Sequence, residues 1–443
     1  MKIISFTFLY FVCAMLANAQ LVTNTKKQEL DKYIDYLEEN NQIIGRVSIT
    51  ENGKTVYARN MGQADLPAGT KIVKNQKYQI GSITKMFTAV MLAKLQEQGK
   101  LSFNDKLASY FPEMPQAAEI TISQMLNHTS GMQDYLTKND TISNWLYHSQ
   151  TQKDILAEIQ RQGLLFEPGT ETNYSNSAYY LLARIVEIKT EKNYATALKN
   201  LITKPLKLKH TLAYKENSVF KKTALPYLFM GTKWEQVDDL YFYNTSGVGD
   251  MLSTTDDLNL FMNALFSGKI LNKKTLNSML PADGKDFGLG IMRIPFYQHI
   301  SFGHGGNTET HSLVGFNPKS NISISYTVNG QRYLMNEVYA VMVSTLYDID
   351  FDYPIFTNFV TTPEDYPDFT GIYSCLTFPE DVTIINKGTY LQIQTPNERP
   401  LTLSQIGTKN FILQNADLTL AFSDSGDSLM LIYNGESHTM SKK

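Results

Sequence analysis

The chain has 443 residues, 42% of them hydrophobic and 19% charged, with 26 glycines and 15 prolines. Such a composition belongs to a globular protein of about two to three domains and excludes collagen-like, low-complexity and disordered chains. Forty Lys and Arg against 43 Asp and Glu give a net charge of -3, which supplies no electrostatic reason for nucleic acid or an anionic membrane as partner.

In chain order, Met1-Lys2 and the apolar run Ile3–Leu16 lead to Ala17-Asn18-Ala19. A short positive start, an apolar stretch and a small-x-small ending predict a signal peptide over residues 1–19, with Gln20 the first mature residue. The run is shorter than the ~20 residues that span a bilayer, so the expectation is a periplasmic or secreted protein with no transmembrane span. Its removal takes Cys13 and leaves Cys375 alone, a small buried hydrophobe with no intrachain disulfide.

Leu30, Tyr33, Ile34 and Leu37 recur at helical spacing within Glu29–Asn40. Two β-rich runs, Gly45–Thr50 and Lys54–Asn60, flank Asn52-Gly53, a strong hairpin signal. A helix followed by an antiparallel hairpin disfavours a parallel βαβ sheet. After Ser82, the stripe Met86, Phe87, Val90, Met91 and Leu95 stops at Gly99 and predicts an amphipathic helix. Further helices are predicted at Ala178–Lys189 and at Leu258–Phe266, the latter with capping residues in Ser253–Asp256. Leu313–Phe316 and Ile322–Val328 read as strands. Residues 20–350 thus predict an α/β (α+β) domain, one antiparallel sheet flanked by helices plus a helical lobe. Thr362–Pro367 marks a turn-rich linker, placed at 351–368. Beyond it Gly371–Ser374, Val382–Ile385, Tyr390–Gln394, Phe411–Leu413, Leu418–Phe422 and Leu429–Tyr433 predict a small all-β, barrel-like domain of lipocalin-like type over 369–443.

Acyl transfer needs a nucleophile, a base and donors for an oxyanion. Gly81-Ser82-Ile83-Thr84-Lys85 offers the first two. With Ser82 at a helix start, Lys85 returns one turn later with its amine near the hydroxyl, and the helix N-terminus turns amides toward developing negative charge. S-x-x-K is weak alone, because Ser218-Val219-Phe220-Lys221 fits it equally well. Company separates the two. Tyr174-Ser175-Asn176 is the only Y-x-N in the chain, and His304-Gly305-Gly306 is the only Lys-x-Gly or His-x-Gly triplet. The seven histidines form neither HExxH nor a Cys/His ligand set, so no metal or other cofactor is expected.

In their order and separation, Ser82, Tyr174 and His304 resemble the serine hydrolase family of class C β-lactamases, penicillin-binding DD-peptidases, D-aminopeptidases and related esterases. Leu126-Asn127-His128-Thr129-Ser130-Gly131-Met132 and Gly249-Asp250-Met251-Leu252-Ser253-Thr254 also resemble stretches of its members, and the similarity covers roughly residues 25–345. The resemblance implies a β-lactamase/transpeptidase-like fold, in which a trailing small β-barrel is a common companion. It further implies Ser82 as acylated nucleophile and Lys85 as its hydrogen-bond partner. Tyr174 would be the general base, its pKa lowered by the Lys85 ammonium, with Lys85 competing for that role. Asn176 would orient the substrate's acyl-side amide, Gly305-Gly306 would let an edge strand approach closely, and the amides of Ser82 and Asn307 would form the oxyanion hole. His128 is expected to hold a loop, and Asp134 and Asp250 are candidates for the rim.

His304 stands where many family members carry lysine, so the permanent charge for a substrate carboxylate is missing. The resemblance therefore implies a D-amino-acid peptide, of the DD-carboxypeptidase or D-aminopeptidase kind and with peptidoglycan as a candidate source, or an ester as substrate. β-Lactamase activity and a penicillin-binding sensor that acylates without turnover are the alternatives, with an envelope scaffold as the non-catalytic one.

Overall fold

The computed structural model describes residues 20–136, 147–214, 223–230, 233–237, 241–308, 310–356, 368–388, 390–396, 400–413, 418–433 and 435–443. The predicted signal peptide, the second S-x-x-K at Ser218–Lys221 and the turn-rich Thr362–Pro367 lie outside them.

Helix α1 (Asn24–Glu39) is capped by Thr23, which accepts from the Lys26 amide, and it buries the predicted stripe Leu30, Tyr33, Ile34 and Leu37. Strands β1 (Ile43–Glu51) and β2 (Lys54–Met61) follow. Asn52 and Gly53 between them take φ 52° and 74°, the left-handed pair that a two-residue hairpin turn demands. Helix α2 (Thr84–Glu97) departs from its predicted one-sided character: Thr84 to Ala93 are buried on every side. It runs through the middle of the body with α3 (Asn176–Thr190) packed along it, and a helix enclosed all round has no polar face to show.

A hairpin, β3 (Tyr227–Met230) and β4 (Lys233–Gln236), precedes helix α4 (Thr255–Phe266). Then come β5 (Met292–Phe296), β6 (His299–Asn307), β7 (His311–Asn317), β8 (Ile322–Gln331) and helix α5 (Met335–Leu346). The main sheet runs β5-β6-β7-β8-β1-β2, antiparallel throughout, and β3 touches β8 at Gly330. Successive side chains on a strand point to opposite faces. Val314 and Phe316 accordingly join Phe87 and Phe261 in one core, while Leu313, Tyr326 and Val328 join Tyr33 of α1 and Val338 and Met342 of α5 in another.

After α5 the chain does not leave the body at once. Phe351 and Tyr353 set their ring edges on Tyr33 at 5.8 and 5.5 Å, and Phe356 stacks on Tyr36 at 5.5 Å. The opening of the segment read as linker is thereby docked on α1.

The C-terminal sheet has nine strands: β9 (Gly371–Ser374), β10 (Val382–Asn386), β11 (Leu391–Gln394), β12 (Leu401–Thr402), β13 (Ser404–Gln405), β14 (Asn410–Leu413), β15 (Leu418–Phe422), β16 (Ser428–Tyr433) and β17 (Glu436–Lys442). Its order is β12-β11-β10-β9-β17-β16-β15-β14-β13. The two outermost strands are separated in sequence only by Leu403, so the sheet curls round until its edges nearly meet. Phe369, Tyr373, Ile384, Phe411, Leu420 and Leu431 fill the interior, and Cys375 sits half-buried at its flank. Near-closure removes most of the exposed edge that an open sheet would present.

Candidate active site

The site forms where the start of α2 meets the far end of β6. Ser82 lies in a single 3-10 turn, Gly81–Ile83, that runs into α2. Two glycines permit the approach. A Cβ at Gly306 would fall 1.9 Å from the Ile80 carbonyl oxygen, and one at Gly81 only 3.0 Å from the Asn307 amide nitrogen. Gly81 also has φ +47°, where a side chain is strained. Against the expectation of an edge strand, β6 is not the sheet's outer strand, because β5 pairs with it from His299 to Gly303. Past Gly303 that neighbour ends, so His304–Asn307 is an edge only over the residues that face the site.

One turn beyond Ser82, at the second residue of α2, the Lys85 side chain is fully buried, with Nζ 2.9 Å from Ser82 Oγ and 3.1 Å from the Val248 carbonyl oxygen. It lies over the Tyr174 ring, 4.9 Å from the centroid. Burial lowers its pKa to about 7, with the Asp134 carboxylate opposing the shift. Tyr174 immediately precedes Ser175, which caps α3 by accepting from the Ala178 amide at 3.1 Å. The Tyr174 hydroxyl is buried and makes no full hydrogen bond in the resting site. Burial raises its pKa, and the nearby Ser82 hydroxyl only partly offsets this. The expected order is thus reversed. Desolvation of the phenol outweighs any help from the lysine, so Tyr174 holds its proton at neutral pH while Lys85 is poised to release one.

His128 holds the loop as expected. Its Nδ1 accepts from the Ser175 amide at 3.1 Å, and its ring stacks on Tyr174 with centroids 4.3 Å apart. Phe287 closes the stack against the edge of His128 at 5.1 Å. No sequence motif marks Phe287 or Val248; both reach the site only through the tertiary fold. Asn176 gives its Nδ2 to Asp134 Oδ2 at 2.6 Å, which engages the amide behind Ser82 and Lys85. Neither acidic candidate stands at the rim. Asp134 is partly buried behind Asn176 and Lys85, and Asp250 is a fully buried core residue accepting from the Gly247 amide at 2.8 Å.

His304 is buried on β6, its ring 6.3 Å from that of Tyr174. Its Nδ1 lies 2.5 Å from the Gly305 carbonyl oxygen, which can only accept, so the proton sits on Nδ1 and Nε2 keeps its lone pair. Burial and the Lys85 amine lower its pKa to about 4, leaving it neutral at pH 7. Ser82, Tyr174, His304, Gly305, Gly306 and Asn307 line a cleft of about 790 Å³, which continues over the side-chain-free Gly305 toward Arg293, His311 and Glu337. Lys85 and Asn176 stand behind this wall. Among the described residues, no group of three or more His, Cys, Asp or Glu could hold a metal ion.

A buried lysine hydrogen-bonded to a serine at a helix start, facing a glycine-opened strand, is the layout of a serine hydrolase with the β-lactamase fold. The chain belongs to the β-lactamase family, whose model matches residues 30–343, and it is a hydrolase of that family. It is 26% identical over 312 residues to a teichoic acid D-alanine hydrolase of Staphylococcus aureus, covering 69% of this chain and 75% of the relative. Among solved structures it is similar to the D-amino acid amidase of Ochrobactrum anthropi SV3 in complex with L-phenylalanine amide, at 25% identity and TM-score 0.63 over 72% of this chain and 99% of that one. The octameric penicillin-binding protein homologue from Pyrococcus abyssi shares the fold across 93% of this chain and 99% of its own, with TM-score 0.65 and 20% identity.

Proposed function

We propose that the protein is exported and hydrolyses D-aminoacyl amides, peptides or esters through an acyl group carried on Ser82. The observation that carries this reading is the 2.9 Å contact between Ser82 Oγ and a Lys85 Nζ whose pKa burial has lowered to about 7. As a free amine Lys85 takes the serine proton while Oγ bonds to the substrate carbonyl carbon. The amides of Ser82 and Asn307 receive the oxyanion. Tyr174, protonated because it is buried, passes its proton to the departing nitrogen or oxygen, and the Lys85 ammonium restores it. Water then attacks the acyl-serine by the same steps in reverse.

Neutral His304 favours a substrate with no carboxylate beside the scissile bond. This supports an aminopeptidase, amidase or esterase over a carboxypeptidase or β-lactamase. The names of the amidase and the D-alanine hydrolase support the D-aminoacyl choice. Turnover of D-phenylalanine amide, its L-enantiomer, a D-alanine ester, acyl-D-alanyl-D-alanine and nitrocefin tests the reading, with Ser82→Ala as control. Expected are D-selective amide or ester hydrolysis, slow nitrocefin turnover, and a loss of at least about 10³-fold in the variant. Fast nitrocefin hydrolysis or a preference for the L-enantiomer would overturn it.

A further inference from the structure

We infer that the crevice between the end of β8 and the C-terminal barrel binds a small monocarboxylate with an apolar tail, held by Arg332. The crevice has a volume of about 200 Å³, more than the ~150 Å³ apolar cavity that accepts a benzene. Leu334 and Phe356 wall it on one side and Ile406, Ile412 and Leu418 of the barrel on the other.

Among the described residues that line this wall, Arg332 carries the one formal charge. Its guanidinium carbon lies 3.8 Å from the centre of the Phe229 ring, and its Nε is buried without a hydrogen-bond partner. Arg46, Arg59, Arg161 and Arg184 each meet a carboxylate; among the described residues Arg332 meets none. Burial alone lowers its pKa to about 10, with no anion acting against the shift. A half-buried, unpaired cation is costly, and a guanidinium presents a planar fork that a carboxylate matches with two hydrogen bonds. One cation among largely apolar walls fits a single negative charge on a short chain better than a phosphate, which would bring a second charge without a partner. The orphaned Oε1 atoms of Gln42, in the same wall, and of Gln331 beside it suit ordered water or a hydroxyl on the ligand. The segment also has a second face: Leu334 lines the catalytic cleft as well.

Trp234 reports on the site through Phe229. Its ring meets Phe229 edge-on at 5.2 Å, on the residue that carries the guanidinium. The chain has 2 tryptophans, so Trp145→Phe makes Trp234 the sole emitter. Titration of this protein with octanoate, acetate and octan-1-ol tests the assignment. The expected result is a saturable change with octanoate, at least tenfold tighter than with either other compound. Arg332→Gln and the crevice-filling Thr419→Phe should each weaken octanoate at least tenfold. Equal binding of octan-1-ol would remove the role of the charge, and this comparison needs no variant at Arg332. A titration unchanged in both crevice variants, or no saturable response to octanoate, would overturn the site.

Discussion

Lys85 and Asp250 are buried in one core and shifted in opposite senses, and each shift has its own consequence. If Lys85 takes the serine proton, kcat/KM for a neutral substrate rises with pH up to about 7 and is level above it. Lys85→Arg, which stays protonated, should lose at least about 10³-fold and lose that acid limb. His304, lowered to about 4, adds no step between pH 5 and 8. His304→Lys should restore a permanent charge and speed acylation by nitrocefin roughly tenfold, a gain of about 1.4 kcal/mol, read by stopped-flow absorbance. Asp250 is raised to about 7, with one oxygen unpartnered. A carboxyl raised in the folded state keeps its proton where the unfolded chain has lost it. Its contribution to stability therefore falls as pH climbs from about 4 to about 7 and stays low above that. Asp250→Asn keeps an acceptor for the Gly247 amide, so stability should rise by roughly 1 kcal/mol at pH 8, a Tm gain of about 1–2 °C in a body of this size, with no gain near pH 4. Calorimetry at the two pH values checks both halves.

At the scale of single elements, β6 shows how unequal two adjacent glycines are. A Cβ at Gly306 would collide with the Ile80 carbonyl, whereas one at Gly305 finds its nearest neighbour, the Ser312 carbonyl oxygen, at 3.9 Å. Gly306→Ala should shift the strand from the Ser82 turn and cost about 10²-fold in kcat/KM, the scale of a 1 Å misplacement. Gly305→Ala should leave the melting curve unchanged. The His-Gly-Gly triplet located the site in the sequence, but nothing in it tells which glycine the backbone needs. The β1–β2 hairpin was legible because Asn52-Gly53 encodes its own turn. Helix α2 was misjudged in character because periodicity counts apolar residues and cannot see that Thr84, Lys85 and Thr88 are enclosed too. The tyrosine-lysine relation escaped for a similar reason: motif spacing gives proximity, while the pKa order follows from desolvation, which only the packed structure fixes.

For the whole molecule, the barrel stands apart from the chemistry in one testable respect. Among the described residues, those that build the cleft belong to segments ending with α5, and none from the barrel lines it. The six strands read from sequence in this region all form, and three were not read: β17 offers only Met440 as an apolar residue, and β12 and β13, two residues each, are too short to carry a pattern, though they are the strands that nearly close the sheet. What the barrel faces is largely apolar: Leu334 and Phe356 stand across the crevice from Ile406 and Ile412. A chain ending at Phe356 should therefore keep kcat/KM within about fivefold, because the contacts that position Ser82, Lys85, Tyr174 and His304 are untouched. It should also aggregate more readily, since a contiguous apolar patch would be uncovered next to Ile355, which is already exposed. Steady-state kinetics with light scattering, on a truncated protein whose circular dichroism shows an intact fold, separates the two effects. A loss above about 10²-fold with the fold retained would mean that the barrel shapes the cleft through Gln331–Leu334, the short segment that reaches both the active site and the crevices beneath the barrel.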